Sequence, residues 1–330
     1  MVSQSLSQLT SSDPVCTRMV EISVRGKWAS VPALQIGSNF ILVRGRFLKT
    51  ACLHNENWLA TELSDPDSII KALKSPASPT RADIFTFAQH PPHTTPKYEY
   101  HFELESIAAV RTNNFDEWWN ALPHEGRKNV RRAQKRGVVV KVRELDEDLI
   151  SELMELNNES PLRQNIRFPH YGKNVDQVRK DQSTYLERSD FVCAYFGAEL
   201  VGCMKLVYRG ESASILQFIS KTSHYDKRPA NAVLAKAIEL CQLKNIAYLT
   251  YGMMDYGNKR HGSLREFKLR NGFTEMLVPR YYVPLSGKGR VCMAAKLHRG
   301  LIGVLPPQVI RLAVGARARW NRLMQSTKPV

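Results

Sequence analysis

The sequence lacks paired cysteines, long apolar runs and an apolar N-terminus. Its six cysteines are scattered, and no two of them form a Cys-x-x-Cys motif. This spacing argues against a zinc site or a disulfide framework and favours a reducing compartment. No segment approaches the roughly 18 apolar residues of a membrane-spanning helix, and the polar first residues do not form a signal peptide. We therefore expect a cytoplasmic protein.

Acidic residues are absent from two stretches of this strongly basic chain, whose net charge is +16. Residues 127–143 contain eight lysines and arginines and no carboxylate, and no Asp or Glu follows Glu275. Such segments favour phosphate-bearing partners, namely nucleic acid, anionic lipid or a nucleotide-linked substrate. A solvated basic surface without a partner is the competing explanation.

Composition and periodicity divide the 330 residues into four segments. Residues 1–15 are Ser-rich and are expected to be disordered. Residues 16–114 alternate apolar and polar positions, which predicts a small strand-rich subdomain with strands at 82–88 and 98–104 and one helix from Pro66 to Leu73, capped by Asp65. Residues 115–285 form the main domain, and residues 286–330 form a basic amphipathic tail.

The main domain is predicted to begin with two helices and a strand, followed by two more helices. A three-strand antiparallel meander comes next, over 191–196, 199–207 and 213–219. A helix over 230–243, a strand over 247–251, a helix over 264–271 and strands near 275–283 complete the domain. Mixed strands and helices alone indicate only an α/β or α+β fold.

Two segments narrow this assignment: the strand Ala247-Tyr-Leu-Thr-Tyr-Gly252 and the helix Gly262-Ser-Leu-Arg-Glu-Phe-Lys-Leu-Arg-Asn-Gly272. Together with the element order they resemble the GNAT superfamily of acyltransferases, and more narrowly its FemAB-like branch. The resemblance covers roughly residues 80–285. It implies an α+β, GNAT-like fold with a mixed central sheet flanked by helices and a reduced N-terminal GNAT-like subdomain. The sequence departs from the branch in lacking an acidic residue in the strand before Gly252.

The resemblance also implies a reaction. We expect transfer of an acyl or aminoacyl group to an amine or hydroxyl of a cell-envelope or sugar-linked acceptor, with no metal and no permanently bound cofactor. Acyl-CoA and aminoacyl-tRNA are the two candidate donor co-substrates, and a phosphate- or sugar-bearing molecule is the expected acceptor. Two alternatives are a CoA-dependent N-acetyltransferase of a small molecule and a non-catalytic basic module that binds RNA or anionic membrane.

Lys268 is the leading catalytic candidate, because an ammonium on a helix beside the cleft can stabilise the oxyanion of an acyl-transfer intermediate. Tyr251 joins it as a second catalytic candidate, and Phe267 as a substrate-binding residue. The competing interpretation of Lys268 is a solvent-facing helix lysine.

The segment 160–172 supplies the acceptor-side candidates. Arg163 and Arg167 could fork onto a phosphate or carboxylate, with Tyr171 as a neighbouring substrate-binding residue. His170 could accept a proton from an amine nucleophile. A purely structural surface loop fits the same pattern.

Donor-phosphate candidates lie where a helix is predicted to start, since helix N-termini attract phosphates. They are Lys227, Arg228, Ala230 and Asn231. GNAT enzymes carry glycines here, whereas this chain has Pro229, which lacks an N–H. A helix start without any ligand is therefore the alternative.

Two basic elements suggest macromolecular contacts. The predicted helix over 126–136 could contact tRNA without reading its sequence, or it could simply be solvated. In the tail, residues 309–324 place Val309, Trp320 and Leu323 on one helical stripe, as in helices that lie on anionic membranes. A last helix packed on its own domain fits the stripe as well.

Overall fold

The computed structural model describes residues 15–24, 26–163, 166–255 and 262–300. Within these ranges the chain forms fourteen strands and eight α-helices. The strands are β1 (Cys16–Val24), β2 (Lys27–Ile36), β3 (Asn39–Arg44), β4 (Thr50–Leu53), β5 (Ile84–Ala88), β6 (Phe102–Arg111), β7 (Val138–Arg143), β8 (Leu162–Arg163), β9 (Ile166–Arg167), β10 (Ser189–Phe196), β11 (Glu199–Arg209), β12 (Ser212–Ser220), β13 (Tyr248–Met253) and β14 (Thr274–Pro284). The helices are α1 (Pro66–Lys74), α2 (Phe115–Ala121), α3 (His124–Lys135), α4 (Glu147–Asn158), α5 (Val175–Gln182), α6 (Pro229–Leu243), α7 (Ser263–Arg270) and α8 (Gly287–Ala294).

Twelve of the strands form one mixed sheet, in the order β1-β2-β3-β4-β5-β14-β6-β13-β12-β11-β10-β7. Most neighbouring strands are antiparallel, and the parallel pairs are β4 with β5 and β12 with β13. The helices flank this sheet, so the predicted α+β architecture with a mixed central sheet is confirmed.

Three apolar cores hold the sheet and its helices together. The first packs α1 against β3–β5 and includes Phe85, Phe87 and Tyr281. The second lies between α6 and one face of β10–β13. The third lies between α4 and α5 and the opposite face of β10–β12, with Phe191 fully buried. The second half of the molecule is therefore a sheet with helices on both faces.

Several predicted elements are confirmed. β10, β11 and β12 form the antiparallel meander, and Asp65 caps α1 by accepting a hydrogen bond from the Ser68 N–H at 3.0 Å. Gly272 follows α7 with φ of 84°, and a Cβ there would lie only 3.0 Å from the Trp118 Nε1, so this stop requires glycine.

The predicted strand over 98–104 is misplaced and overlaps the observed strand only at residues 102–104. The strand is β6, which begins at Phe102, whereas the rings of Tyr98 and Tyr100 pack edge-on to Phe87 at centroid distances of 5.6 and 6.3 Å. These half-buried rings pack against the first core, and the alternating tyrosines lie outside the ladder. β6 then lies between β14 and β13 in the middle of the sheet, while β14 also pairs with β5. Helix α8 lies in the segment that we predicted to be tail.

Two predictions fall outside the described residues: the disordered N-terminus, for residues 1–14, and the amphipathic stripe at 309–324. Among the helices that the structure describes, none has the length and apolar character needed to cross a membrane.

Candidate active site

Strand pairing is interrupted between β12 and β13. These parallel strands pair only from Ser212 to Ser214 with Tyr248 to Thr250, and then separate. β12 continues to Ser220 alongside β11, and β13 continues to Met253 alongside β6. A pocket of about 590 Å³ opens at this separation. Ligands of open mixed sheets commonly bind at the carboxyl ends of strands where neighbours diverge. We call this space the splayed-strand pocket.

Three half-buried aromatic rings form one wall of the splayed-strand pocket. Phe218 lies on β12, Tyr251 on β13 and Phe267 on α7. The Phe218 ring is 6.0 Å from that of Tyr251 and 5.8 Å from that of Phe267, measured between centroids. Such edge and tilted contacts hold the rings in defined positions, so the wall is rigid and largely apolar.

The first turn of α6 forms another part of the pocket wall. Arg228, Pro229, Ala230 and Asn231 all line the pocket, and Arg228 has a left-handed backbone with φ of 58°. The side chain of Asn231 is buried and donates a hydrogen bond to Asn271 Oδ1 at 2.9 Å. This bond joins α6 to the end of α7. The positive end of the α6 dipole therefore points towards the pocket.

Lys268 lies on the buried side of α7. Within the part of the chain that the structure describes, the pocket wall includes Phe267 but not Lys268, which is 0% exposed. Its Nζ donates a hydrogen bond to the Met253 carbonyl at 2.6 Å and lies 4.9 Å from the centre of the Tyr251 ring. Burial lowers the pKa of Lys268 to about 8, against the opposing effect of the Asp255 charge. A buried cation with a lowered pKa thus lies directly behind Tyr251, a pocket residue.

Helix α3 closes the pocket rim through Gly126 and Asn129. A Cβ on Gly126 would lie 2.7 Å from the Arg270 carbonyl oxygen, so the close approach of α3 to α7 requires glycine. Arg270 itself lines the rim and pairs with Glu266 at 3.0 Å.

The turn between β12 and α6 is held by a carboxylate that the sequence did not reveal. Glu159 accepts hydrogen bonds from the N–H groups of Thr222 and Ser223 at 2.8 and 2.9 Å, and from both hydroxyls at 3.0 and 2.8 Å. Burial raises the pKa of Glu159, but these hydrogen bonds outweigh it, and the net pKa is lowered. Glu159 is therefore an ionised anchor that fixes the pocket's loop.

Five of the eleven predicted site residues line the splayed-strand pocket: Tyr251, Phe267, Arg228, Ala230 and Asn231. Lys268 lies behind it. Arg163 reaches its back, because Nη1 donates to the Ser220 carbonyl at 2.7 Å while the guanidinium stacks on Phe168 at 4.7 Å.

The remaining predicted residues lie elsewhere. His170 is 3.4 Å from Asp181, which also accepts a hydrogen bond from the Trp28 indole at 2.8 Å, so this imidazole belongs to a contact between α5 and β2. Lys227 pairs with Asp226 at 3.5 Å and stacks on Phe196. Arg167 and Tyr171 are exposed.

Sequence comparison identifies no relative: no model of a known protein family matches this sequence, and no curated protein does. Solved structures do match. The C-terminal domain of a proposed lysylphosphatidylglycerol synthetase from Agrobacterium fabrum aligns with a TM-score of 0.51 and 15% identity, covering 78% of this chain and 85% of that one. FemX aligns with a TM-score of 0.50 and 12% identity, covering 80% and 88% respectively. L-PGS from Bacillus licheniformis aligns with a TM-score of 0.50 and 14% identity, covering 81% and 87%.

These likenesses establish the fold. The chain has the GNAT-like acyltransferase fold, and at the level of fold the resemblance to FemAB-like proteins is confirmed. Identities of 12–15% carry no assignment of substrate.

Proposed function

We propose that this chain is an acyltransferase of the FemAB/GNAT type that transfers an acyl or aminoacyl group to an amine or hydroxyl of a cell-envelope or sugar-linked acceptor. The observation that carries the proposal is the splayed-strand pocket, where Tyr251 and the start of α6 meet in front of the buried Lys268. The names of the structural neighbours, FemX and lysylphosphatidylglycerol synthetase, support the envelope as the site of action.

The pocket suits addition to a carbonyl. The nucleophile forms a bond to the acyl carbon, the carbonyl oxygen becomes an oxyanion, and the bond to the donor's oxygen or sulfur then breaks as the leaving group takes a proton. Positive charge and oriented dipoles near the oxyanion lower the barrier. Tyr251 is the proposed catalytic residue because it lines the pocket, and Lys268 is the proposed positioning residue, whose charge acts through Tyr251 from 4.9 Å.

The turn before α6 favours an aminoacyl ester over acyl-CoA as the donor. A pyrophosphate cradle needs several backbone N–H groups that point to the ligand. Here Thr222 and Ser223 already donate theirs to Glu159, and Pro229 has none to give. Arg228 remains at the pocket as a charged contact for a single phosphate.

The experiment compares donors on one protein preparation. We expect transfer of a radiolabelled amino acid from charged tRNA to lipid or nucleotide-sugar fractions of the envelope, and we expect charged tRNA, but not acetyl-CoA, to raise the melting temperature. Tyr251→Phe with Lys268→Met serves as the inactive control. Transfer from acetyl-CoA alone would establish the N-acetyltransferase alternative. No transfer from either donor, to any fraction, would remove the enzyme assignment.

A non-catalytic basic module is the second candidate, because α3 presents a basic groove of about 700 Å³. The groove is lined by His124, Lys128, Arg131, Arg132, Lys135 and Arg136. This candidate predicts RNA or anionic-liposome binding that falls steeply with salt, in a protein without transferase activity. Truncation after Pro306 then separates a contribution of the tail from that of α3.

A further inference from the structure

A second group of chemically reactive side chains lies outside the lining of the splayed-strand pocket. It consists of His101 and Glu103 around the start of β6, and His298 in the short turn Leu297–Arg299 that follows α8. We call it the His–Glu–His cluster. Among the described residues it is the one set of three such side chains whose candidate ligand atoms converge, all lying within 4.8 Å of one another.

The sheet and the turn bring the three side chains together. His101 and Glu103 are two residues apart in extended chain, so their side chains share one face of the sheet. The Tyr282 N–H donates a hydrogen bond to the His101 carbonyl at 2.8 Å, which places β14 alongside. The His298 ring packs against the Tyr282 ring with 4.8 Å between centroids, and its side chain is 3% exposed. His298 is therefore held in place by packing.

We propose that the His–Glu–His cluster binds a zinc ion through His101 Nε2, a carboxylate oxygen of Glu103 and His298 Nε2. Zinc binds imidazole nitrogen and carboxylate oxygen at about 2.0–2.2 Å in tetrahedral geometry, which sets its ligand atoms roughly 3.3 Å apart. Glu103 Oε1 is 2.8 Å from His298 Nε2 and 3.8 Å from His101 Nε2, on either side of that spacing. Two histidines and one glutamate leave a fourth position for water.

The competing occupant of Glu103 is Arg299, whose Nε donates to the same Oε1 at 2.8 Å. Arg299 is 40% exposed, so its guanidinium can move into solvent or remain on one carboxylate oxygen while zinc takes the other.

Zinc at this position joins β6 in the centre of the sheet to the turn just before residue 300. Because the ligands come from segments 195 residues apart, the unfolded chain does not present them together. Binding therefore stabilises the folded chain, and it ties the turn that follows α8 to β6. Our prediction of no zinc site rested on cysteine spacing, which does not test for histidine and carboxylate ligands.

The test titrates zinc chloride into the full-length, chelator-stripped protein in competition with a chromogenic chelator. We expect one zinc per chain and a rise in melting temperature with zinc. His298→Ala and Glu103→Gln should weaken binding by more than the ~10–100-fold that loss of an outer partner costs. His101→Ala should do the same without a folding defect, because its side chain is 54% exposed.

His93→Ala is the matched control. His93 also contacts a carboxylate, Glu62, at 2.7 Å beside a cation, Lys97, but belongs to no three-ligand set among the described residues. Its zinc affinity should equal that of the wild type. Absence of zinc binding by the wild type, or binding that His298→Ala, Glu103→Gln and His101→Ala leave unchanged, would overturn the proposal and reduce the cluster to a set of hydrogen bonds.

Discussion

Replacing Lys268 by Met removes a fully buried charge and retains most of its volume. In the unfolded chain this lysine has the ordinary pKa of 10.5, whereas burial lowers its pKa to about 8 in the folded protein. That gap corresponds to about 3 kcal/mol of folded-state penalty when the group is charged. The Met253 carbonyl loses a donor at 2.6 Å, which costs about 1–3 kcal/mol. The free energy of unfolding at pH 7 should therefore be unchanged or up to about 2 kcal/mol higher.

The stability difference between the wild type and Lys268→Met should depend on pH in a defined direction. Below about pH 8 the lysine is charged in both states, and the wild type carries the whole penalty. As pH rises from 8 towards 10.5 the folded state loses its proton first, so wild-type stability rises relative to Lys268→Met. Denaturant unfolding at pH 7, 8, 9 and 10 measures the difference. A stability advantage of the variant that grows with pH would contradict the buried-charge account.

The transferase activity of Lys268→Met should fall, although its stability does not. If the Lys268 charge assists the oxyanion through Tyr251, Lys268→Met should reduce kcat by about 10²–10³, and wild-type kcat should fall above about pH 8, as the ammonium is lost. Lys205→Met is the matched control. Lys205 is 1% exposed and also has a pKa lowered to about 8 by burial, but its Nζ contacts the Gln182 carbonyl at 2.6 Å on the face covered by α4 and α5.

A folded Lys205→Met protein should keep its transferase activity, even if it loses stability. The same transferase assay on Lys268→Met tests whether Lys268 contributes to catalysis. Wild-type turnover in the folded variant, or an equal loss in both variants, would show that Lys268 is a structural residue.

Four further substitutions test the pocket and its surroundings. Arg167→Ala should raise the acceptor KM more than it lowers kcat and leave the melting temperature unchanged, because the side chain is exposed. Arg163→Ala should lower the melting temperature, because it removes the 2.7 Å hydrogen bond to the end of β12. An unaltered KM for Arg167→Ala on a verified acceptor would mean that β9 takes no part in binding. Gly126→Ala should destabilise by about 1–3 kcal/mol and reduce transfer, since its Cβ would overlap the Arg270 carbonyl, and a melting curve identical to the wild type would disprove the close approach of α3. Glu159→Gln should lower the free energy of unfolding at pH 7 by roughly 1.5–3 kcal/mol. Because the folded pKa of Glu159 is lowered, the stability advantage of the wild type should be present above about pH 4.5 and disappear as pH falls further. Parallel stability curves of the wild type and Glu159→Gln from pH 7 to 3 would argue against an ionised anchor.

The main elements of the second half could be predicted from local sequence, because each carries its own signal. Alternation identifies the meander, a proline in the first turn marks the start of α6, and Gly272 marks the end of α7. Helical spacing alone does not separate the side chains of α7. Lys268 is four residues after Leu264 and three before Asn271, which both line the pocket, yet Lys268 is fully buried while Phe267 lines the pocket. The prediction treated neighbours in sequence as neighbours in the cleft.

Contacts between distant segments could not be predicted, because nothing in a local pattern specifies the partner. Glu159 ends α4 and gives no motif, yet it binds the loop 63 and 64 residues further along the chain. His170 and Arg167 are near in sequence to Arg163, but Arg163 donates a hydrogen bond to the end of β12, whereas His170 contacts Asp181 on α5 and Arg167 is exposed. The prolines that flank the 160–172 loop suggested a functional loop, but they did not indicate which of its side chains faces the pocket.

The position of β6 connects these observations. β6 pairs with β14 on one side and β13 on the other, so a strand from the first third of the chain forms part of the support for the splayed-strand pocket. Met253, whose carbonyl holds Lys268, pairs with Ile107 of β6. Glu103, a proposed zinc ligand, lies four residues earlier on the same strand and the same face. A zinc ion there would stiffen the strand that positions the backbone under Lys268, so the two proposals meet at β6. If they are coupled, chelation should reduce kcat of the wild type and leave that of His298→Ala unchanged.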